Sequence, residues 1–179
     1  MSGISTTDSK SACDNNNLLT LFGGTFDPIH LGHITMARHV ANWLKLHQIT
    51  LLPAHIPPHK ALPKVTSTHR LAMLKGVIDK ESLFNIDVSE LMRDTPSFTF
   101  DTLSRLAQQS PQQKRLFIIG MDSLCNLHKW YKWQDILTLC NIVVCSRPGY
   151  QITTKNPDIA QRVDLSAELD ITNIANMPH

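Results

Sequence analysis

A chain of 179 residues fits one domain of ordinary size, and its 42% hydrophobic content supports a buried core and excludes global disorder. The formal net charge of +2 is too small to argue for a nucleic-acid partner, and no apolar run approaches the ~20 residues of a membrane span. Four cysteines without a Cys-x-x-Cys pair (Cys13, Cys125, Cys140, Cys145) and a polar start without a signal-peptide core point to a cytoplasmic protein with reduced thiols.

Residues 1–17 read as a loose tail, and 18–179 as a single domain. A strand is expected over 18–22, where Leu18-Leu19-Thr20-Leu21-Phe22 runs into Gly23-Gly24. Ile34, Met36, Ala37, Val40, Ala41 and Leu44 approximate helical spacing over 33–46. A second strand follows over 49–53, then a Pro- and His-containing loop over 55–66. Ser67 or Thr68 is the expected cap of a helix carrying Leu71, Leu74 and Ile78. A third strand is expected over 84–88. Ser97 or Thr99 is the expected cap of a helix with Phe100, Leu103 and Leu106 on its apolar face. Further strands are expected over 115–119 and 142–145, with a helix over 133–140 between them and a possible sixth strand over 171–175. Alternating helices and doubly buried strands imply an α/β fold with a Rossmann-like parallel sheet flanked by helices. In such sheets ligands gather beyond the carboxyl ends of the strands. The residues richest in chemistry sit there: 23–33, 53–60, 120–123 and 146–147.

The first strand joins its helix through Gly23-Gly24-Thr25-Phe26-Asp27-Pro28-Ile29-His30-Leu31-Gly32-His33. Gly23 and Gly24 let backbone approach a ligand closely. The helix start near Gly32 offers unpaired amides and a positive dipole end, which suit phosphate. His30 and His33 stand at that end and can turn ring N–H donors toward one phosphate cluster. The string is neither G-x-G-x-x-G nor a Walker loop, since no lysine closes it. A His-x-x-His pair is also a possible metal site, although i, i+4 spacing and further ligands are usual there.

This string resembles, residue for residue, the signature of the His-x-Gly-His nucleotidyltransferase superfamily. Further segments resemble, in order, the bacterial nicotinate mononucleotide adenylyltransferase family. They are Leu52-Pro53-Ala54-His55-Ile56-Pro57-Pro58-His59-Lys60, Asp94-Thr95-Pro96-Ser97-Phe98-Thr99 and Ile118-Ile119-Gly120-Met121-Asp122-Ser123-Leu124. Trp130-Tyr131 and Val144-Cys145-Ser146-Arg147-Pro148-Gly149-Tyr150 follow. The resemblance implies that His30, His33 and Lys60 are catalytic. It implies that Gly23, Gly24, Thr25, His59 and Arg147 join the histidines in binding ATP phosphates. On the acceptor side it implies Trp130 as the nicotinate stacking residue, Asp122 in nucleotide binding, and backbone amides near Thr99 and Tyr131 for the nicotinate carboxylate. Read without the family, Trp130 is an ordinary aromatic and Asp122 a helix cap. His39, His47, His69 and His128 carry no motif, and His55 is read as a loop residue.

The implied substrates are ATP and nicotinate mononucleotide, with Mg²⁺ carried by the ATP phosphates and no dedicated protein metal site. The acceptor phosphate is already anionic at neutral pH, so no general base is required. Catalysis then rests on alignment of two anions and on offsetting charge at the departing pyrophosphate. The family's Ile-Ser-x-Thr-x-x-Arg segment has no counterpart before His179, so a chain truncated at its C-terminal end is expected. The alternatives are another enzyme of the superfamily, such as the pantetheine-phosphate adenylyltransferase or a cytidylyltransferase, and a non-catalytic nucleotide-binding module.

Overall fold

The computed structural model describes residues 17–56, 63–93 and 95–145. In chain order these form β1 (Leu18–Gly24), α1 (Leu31–Leu44), β2 (Ile49–Pro53), α2 (Ser67–Ile78), β3 (Phe84–Ile86), α3 (Thr99–Gln109) and β4 (Lys114–Gly120). After β4 come α4 (Met121–Cys125), a 3-10 turn (Leu127–Lys129), α5 (Trp133–Leu139) and β5 (Asn141–Cys145). All the strand pairs are parallel and the order is β3-β2-β1-β4-β5. The expected α/β sheet is therefore present. The possible sixth strand over 171–175 lies outside the described residues, as do His59, Lys60 and Arg147.

Successive strand residues face opposite sides, and both sides are covered. Phe22, Leu51 and Ile118 join Ile34, Ala37 and Val40 of α1 and Leu74 of α2 in one core. Leu21, Leu52, Phe117 and Ile119 join Leu103 of α3, Leu124 of α4 and Ile136 of α5 in the other. Two covered faces explain why these strands read as continuous apolar runs without alternation. Each large side chain so buried contributes roughly 1.5–3 kcal/mol. Ala37 and Val40 are fully buried, so α1 presents small and β-branched side chains to the sheet.

Element ends differ from the expected ones for identifiable reasons. Helix α1 starts at Leu31, two residues early, with His30 at the cap position. Thr66, rather than Ser67 or Thr68, caps α2: its Oγ1 accepts the His69 N–H at 3.4 Å. Ser67 is engaged elsewhere, accepting from Arg70 at 3.1 Å. At α3 neither Ser97 nor Thr99 caps; Phe98 holds the cap position with no side-chain bond. The Ser97 hydroxyl is taken by a longer-range partner, the His55 N–H at 2.9 Å. Strand β3 ends at Ile86 because Asp87 turns the chain, its Oδ1 accepting the Ser89 N–H at 2.8 Å.

Cys125 is partly buried, Cys140 and Cys145 are buried, and all three are free. Burial pushes the Cys140 and Cys145 thiols up to about 12, with Arg115 pulling the former back slightly. Such thiols are poor nucleophiles at neutral pH.

Candidate active site

Strand order reverses between β1 and β4, which opens a crevice at their carboxyl ends. A cavity of about 270 Å³ occupies it. Gly23, Gly24 and Thr25 reach it from β1, and Leu52 and Ala54 from β2. Glu90 and the Ser97-Phe98-Thr99 turn reach it from the approach to α3. Asp122, Lys129, Trp130 and Tyr131 complete the lining from the chain after β4. Seven residues selected from sequence (Gly23, Gly24, Thr25, Thr99, Asp122, Trp130, Tyr131) thus meet around one space.

Close approach explains the first glycine of the motif. A Cβ at Gly23 would lie 2.5 Å from Cζ of Phe117, a clash that no small shift relieves. Phe117 in turn meets Trp130 edge to face, centroids 6.5 Å apart and planes at 90°. Trp130 is half-buried against that ring. Tyr131 is 46% exposed and packs on Phe98 at 5.0 Å and Phe100 at 5.8 Å. Asp122 is exposed, the second residue of α4, so it is not the cap; Gly120 is. A Cβ on Gly120 would lie 2.7 Å from Asp122 Oδ1, so that glycine makes room for the carboxylate.

His30 and His33 do not line the cavity. They stack on each other at the start of α1, ring centroids 3.8 Å apart and planes 35° from parallel. The His30 backbone N–H donates to His33 Nδ1 at 3.3 Å, which places the proton of a neutral His33 ring on Nε2. His33 rests on Phe26 at 5.3 Å and Phe22 at 6.0 Å, while His30 stays exposed. Phe26 is buried despite a left-handed φ of 47°. That conformation is unfavourable for a side chain with a Cβ, so packing between Phe22 and His33 must hold it. Gly32 leaves the space that the His30 ring uses: a Cβ there would lie 3.1 Å from the ring. The histidine pair and the cavity are joined by the Gly24-Thr25-Phe26 backbone. Among the described residues, no group of three His, Cys, Asp or Glu side chains comes together as a metal site.

Two residues matter here that sequence reading passed over. Arg70 of α2 is 1% exposed. It donates to the carbonyls of Thr25 at 2.6 Å and Ala54 at 2.7 Å, tying the loops after β1 and β2 together. Burial lowers its pKa from the usual value, opposed by the charge of Asp27. Asp27 itself accepts the N–H groups of Lys64 at 2.7 Å and Val65 at 3.0 Å. The second is Glu90, 3% exposed on the cavity lining. No local sequence signal marked either; each is a charged residue in an unremarkable stretch. His55, read as a loop residue, is bonded through Nδ1 to Ser67 Oγ at 2.9 Å.

Comparison with known proteins bears on the family and the fold. A family model described as cytidylyltransferase-like matches residues 21–171. A Yersinia enterocolitica protein named "Probable nicotinate-nucleotide adenylyltransferase" is 44% identical over 163 residues, covering 90% of this chain and 74% of that one. A Pectobacterium atrosepticum protein of the same name is 43% identical, with 83% and 70% covered. The chain belongs to the nicotinate-nucleotide adenylyltransferase family. In fold it is similar to the Plasmodium falciparum nicotinic acid mononucleotide adenylyltransferase complexed with NaAD, with a TM-score of 0.69 at 20% identity, covering 87% of this chain and 75% of that one. No described helix is long and apolar enough to cross a membrane.

Proposed function

We propose that this chain transfers the adenylyl group of ATP to nicotinate mononucleotide, giving nicotinate adenine dinucleotide and pyrophosphate in NAD biosynthesis. The observation that carries the reading is the juxtaposition at the β1–β4 crevice. An aromatic cavity with Trp130 and Thr99 in its lining shares the Gly23-Gly24-Thr25 backbone with a stacked histidine pair.

In this reading the mononucleotide enters the cavity, its pyridine ring against Trp130 and its carboxylate toward the amides near Thr99 and Tyr131. The amides of Thr99 and Phe100 open α3 ahead of the first one that bonds back to the Phe98 carbonyl, that of Asp101, and such amides favour a carboxylate over a neutral amide group. Asp122 serves the nucleotide from the rim, where a carboxylate accepts hydroxyl hydrogens. ATP lays its phosphates along the glycine loop and the start of α1. A mononucleotide phosphate oxygen attacks the α-phosphorus, and the bond from that phosphorus to the α–β bridging oxygen breaks as pyrophosphate leaves. The attacking oxygen carries no proton, so no base is required. His30 and His33 donate to the phosphate oxygens and offset charge on the leaving group, with Lys60, His59 and Arg147 completing the set. Mg²⁺, held by the phosphates and water, supplies further charge neutralisation when bound.

The test is pyrophosphate release from ATP and Mg²⁺ with nicotinate mononucleotide or its amide as acceptor. Faster release with the acid is expected. Equal rates would undo the acid-specific assignment, and ATP binding without any release would undo the enzymatic one.

A further inference from the structure

Glu90 is the one described carboxyl that is both buried and part of the cavity lining. Placing a carboxyl there disfavours folding unless its oxygens are met by donors, and an apolar side chain would fill the space more cheaply. Its partners all belong to the segment that forms the acceptor side of the cavity. Oε1 accepts from Thr102 Oγ1 at 2.7 Å, inside the first turns of α3, where Thr102 is fully buried. Ser97 supplies a second hydroxyl partner. Ser97 is itself pinned to the chain after β2: its Oγ accepts the His55 N–H at 2.9 Å, and its N–H donates to the Ile56 carbonyl at 2.9 Å. The Ser97-Phe98-Thr99 turn, lacking any side-chain cap, is thus held from behind by Glu90 and His55.

We infer that Glu90 is a positioning residue for the acceptor, fixing the Ser97-Phe98-Thr99 turn, whose Ser97 and Phe98 amides are bonded within the protein, so that the first amides of α3, from Thr99 on, face the mononucleotide. The inference rests on the acceptor reading given above. Glu90 acts through its neighbours: the contacts it makes are with hydroxyls of the protein. Burial raises its carboxyl above the ordinary range, with the Thr102 and Ser97 hydroxyls and the charge of Arg93 opposing and that of Asp87 adding to the rise.

The experiment compares wild type, Glu90→Ala, Glu90→Gln and Thr102→Val by calorimetric binding of nicotinate mononucleotide and by steady-state pyrophosphate release. For Glu90→Ala the acceptor Kd and KM rise about tenfold, while the KM for ATP stays within about twofold and kcat within about threefold. Glu90→Gln, whose amide oxygen still accepts from Thr102, recovers to within about threefold of wild type. Thr102→Val keeps the shape of the core and removes one donor, so its acceptor Kd rises about threefold even if the alanine variant fails to fold. Unchanged acceptor affinity in Thr102→Val, an equal rise in both substrates' KM, or a glutamine variant as weak as the alanine one would overturn the inference. Wild type that binds the mononucleotide without releasing pyrophosphate would sink the catalytic reading alone; the binding shifts would still decide the role of Glu90.

Discussion

On the α1 side of the crevice, an exposed His30 stacks on a half-buried His33, and the pair sits on the aromatic platform of Phe22 and Phe26. On the side of α3 and α5, a carboxyl, two hydroxyls and several aromatic rings are already engaged with one another around a formed cavity. In the proposed reaction the first side faces phosphate oxygens that arrive with the ligand. The second is shaped before any ligand enters, its polar groups satisfied from behind. A charge-bearing half can remain open because its substrate is strongly anionic. Under the proposed acid preference the second half must be rigid, since a carboxylate and an amide differ by one atom and a charge.

The comparison breaks most visibly at the histidines. Alanine at His30 or His33 is expected to lower kcat by about 10²–10³-fold, the range for losing one preorganised donor to developing charge. Acceptor binding should be nearly untouched. Thermal unfolding separates the two positions: His30 is exposed and its loss leaves the midpoint in place, whereas His33 supports Phe26 and its loss lowers it. Full activity in either folded variant would remove the histidines from the mechanism.

Trp130→Ala probes the opposite half. Loss of a stacking face raises the acceptor KM between about five- and 150-fold, with the KM for ATP unchanged. An equal rise for both substrates would mean that Trp130 supports the whole crevice through Phe117 and is no acceptor contact.

Much of this architecture was legible in the residues. Doubly covered strands announce themselves as apolar runs, and the motif from Gly23 to His33 stands out because its glycines, cap and histidines are contiguous in sequence. Trp130 and Asp122 became visible only through a family resemblance, since a lone tryptophan or aspartate has no pattern of its own. Arg70, Glu90 and the cap of α3 were not legible at all. Their roles depend on partners far along the chain: Arg70 on Thr25 and Ala54, Ser97 on His55. A local reading assigns Ser97 to the nearest helix start, and only the fold shows that a more distant amide claims it first.

The two glycines sharpen the division further, with smaller effects. At Gly23 an added methyl meets Phe117 at 2.5 Å and must drive that ring toward Trp130. Gly23→Ala should therefore raise the acceptor KM by about three- to tenfold with a modest loss of kcat. At Gly32 the methyl meets the His30 ring at 3.1 Å. His30 is exposed and able to yield, so Gly32→Ala should reduce kcat by about threefold and leave the acceptor KM alone. Steady-state kinetics on both variants decides the matter: a swap of the two patterns would place the boundary between the halves elsewhere.

The smallest expected effect concerns what the preformed half does to stability. Burial raises the Glu90 carboxyl above its usual value of 4.5 in the folded protein. As pH climbs past 4.5, the unfolded chain releases this proton first, so the folded state holds more protons and stability falls with rising pH. The fall ends once pH passes the folded-state value, because both states are then ionised. Glu90→Gln has no such group, and every other titrating residue is common to both proteins. The melting midpoint of the glutamine variant minus that of wild type should therefore grow from pH 4.5 upward and then level off. A difference that shrinks as pH rises toward 4.5 and stays flat above it would mean that the hydroxyls of Thr102 and Ser97, with the charge of Arg93, outweigh burial and lower the carboxyl instead.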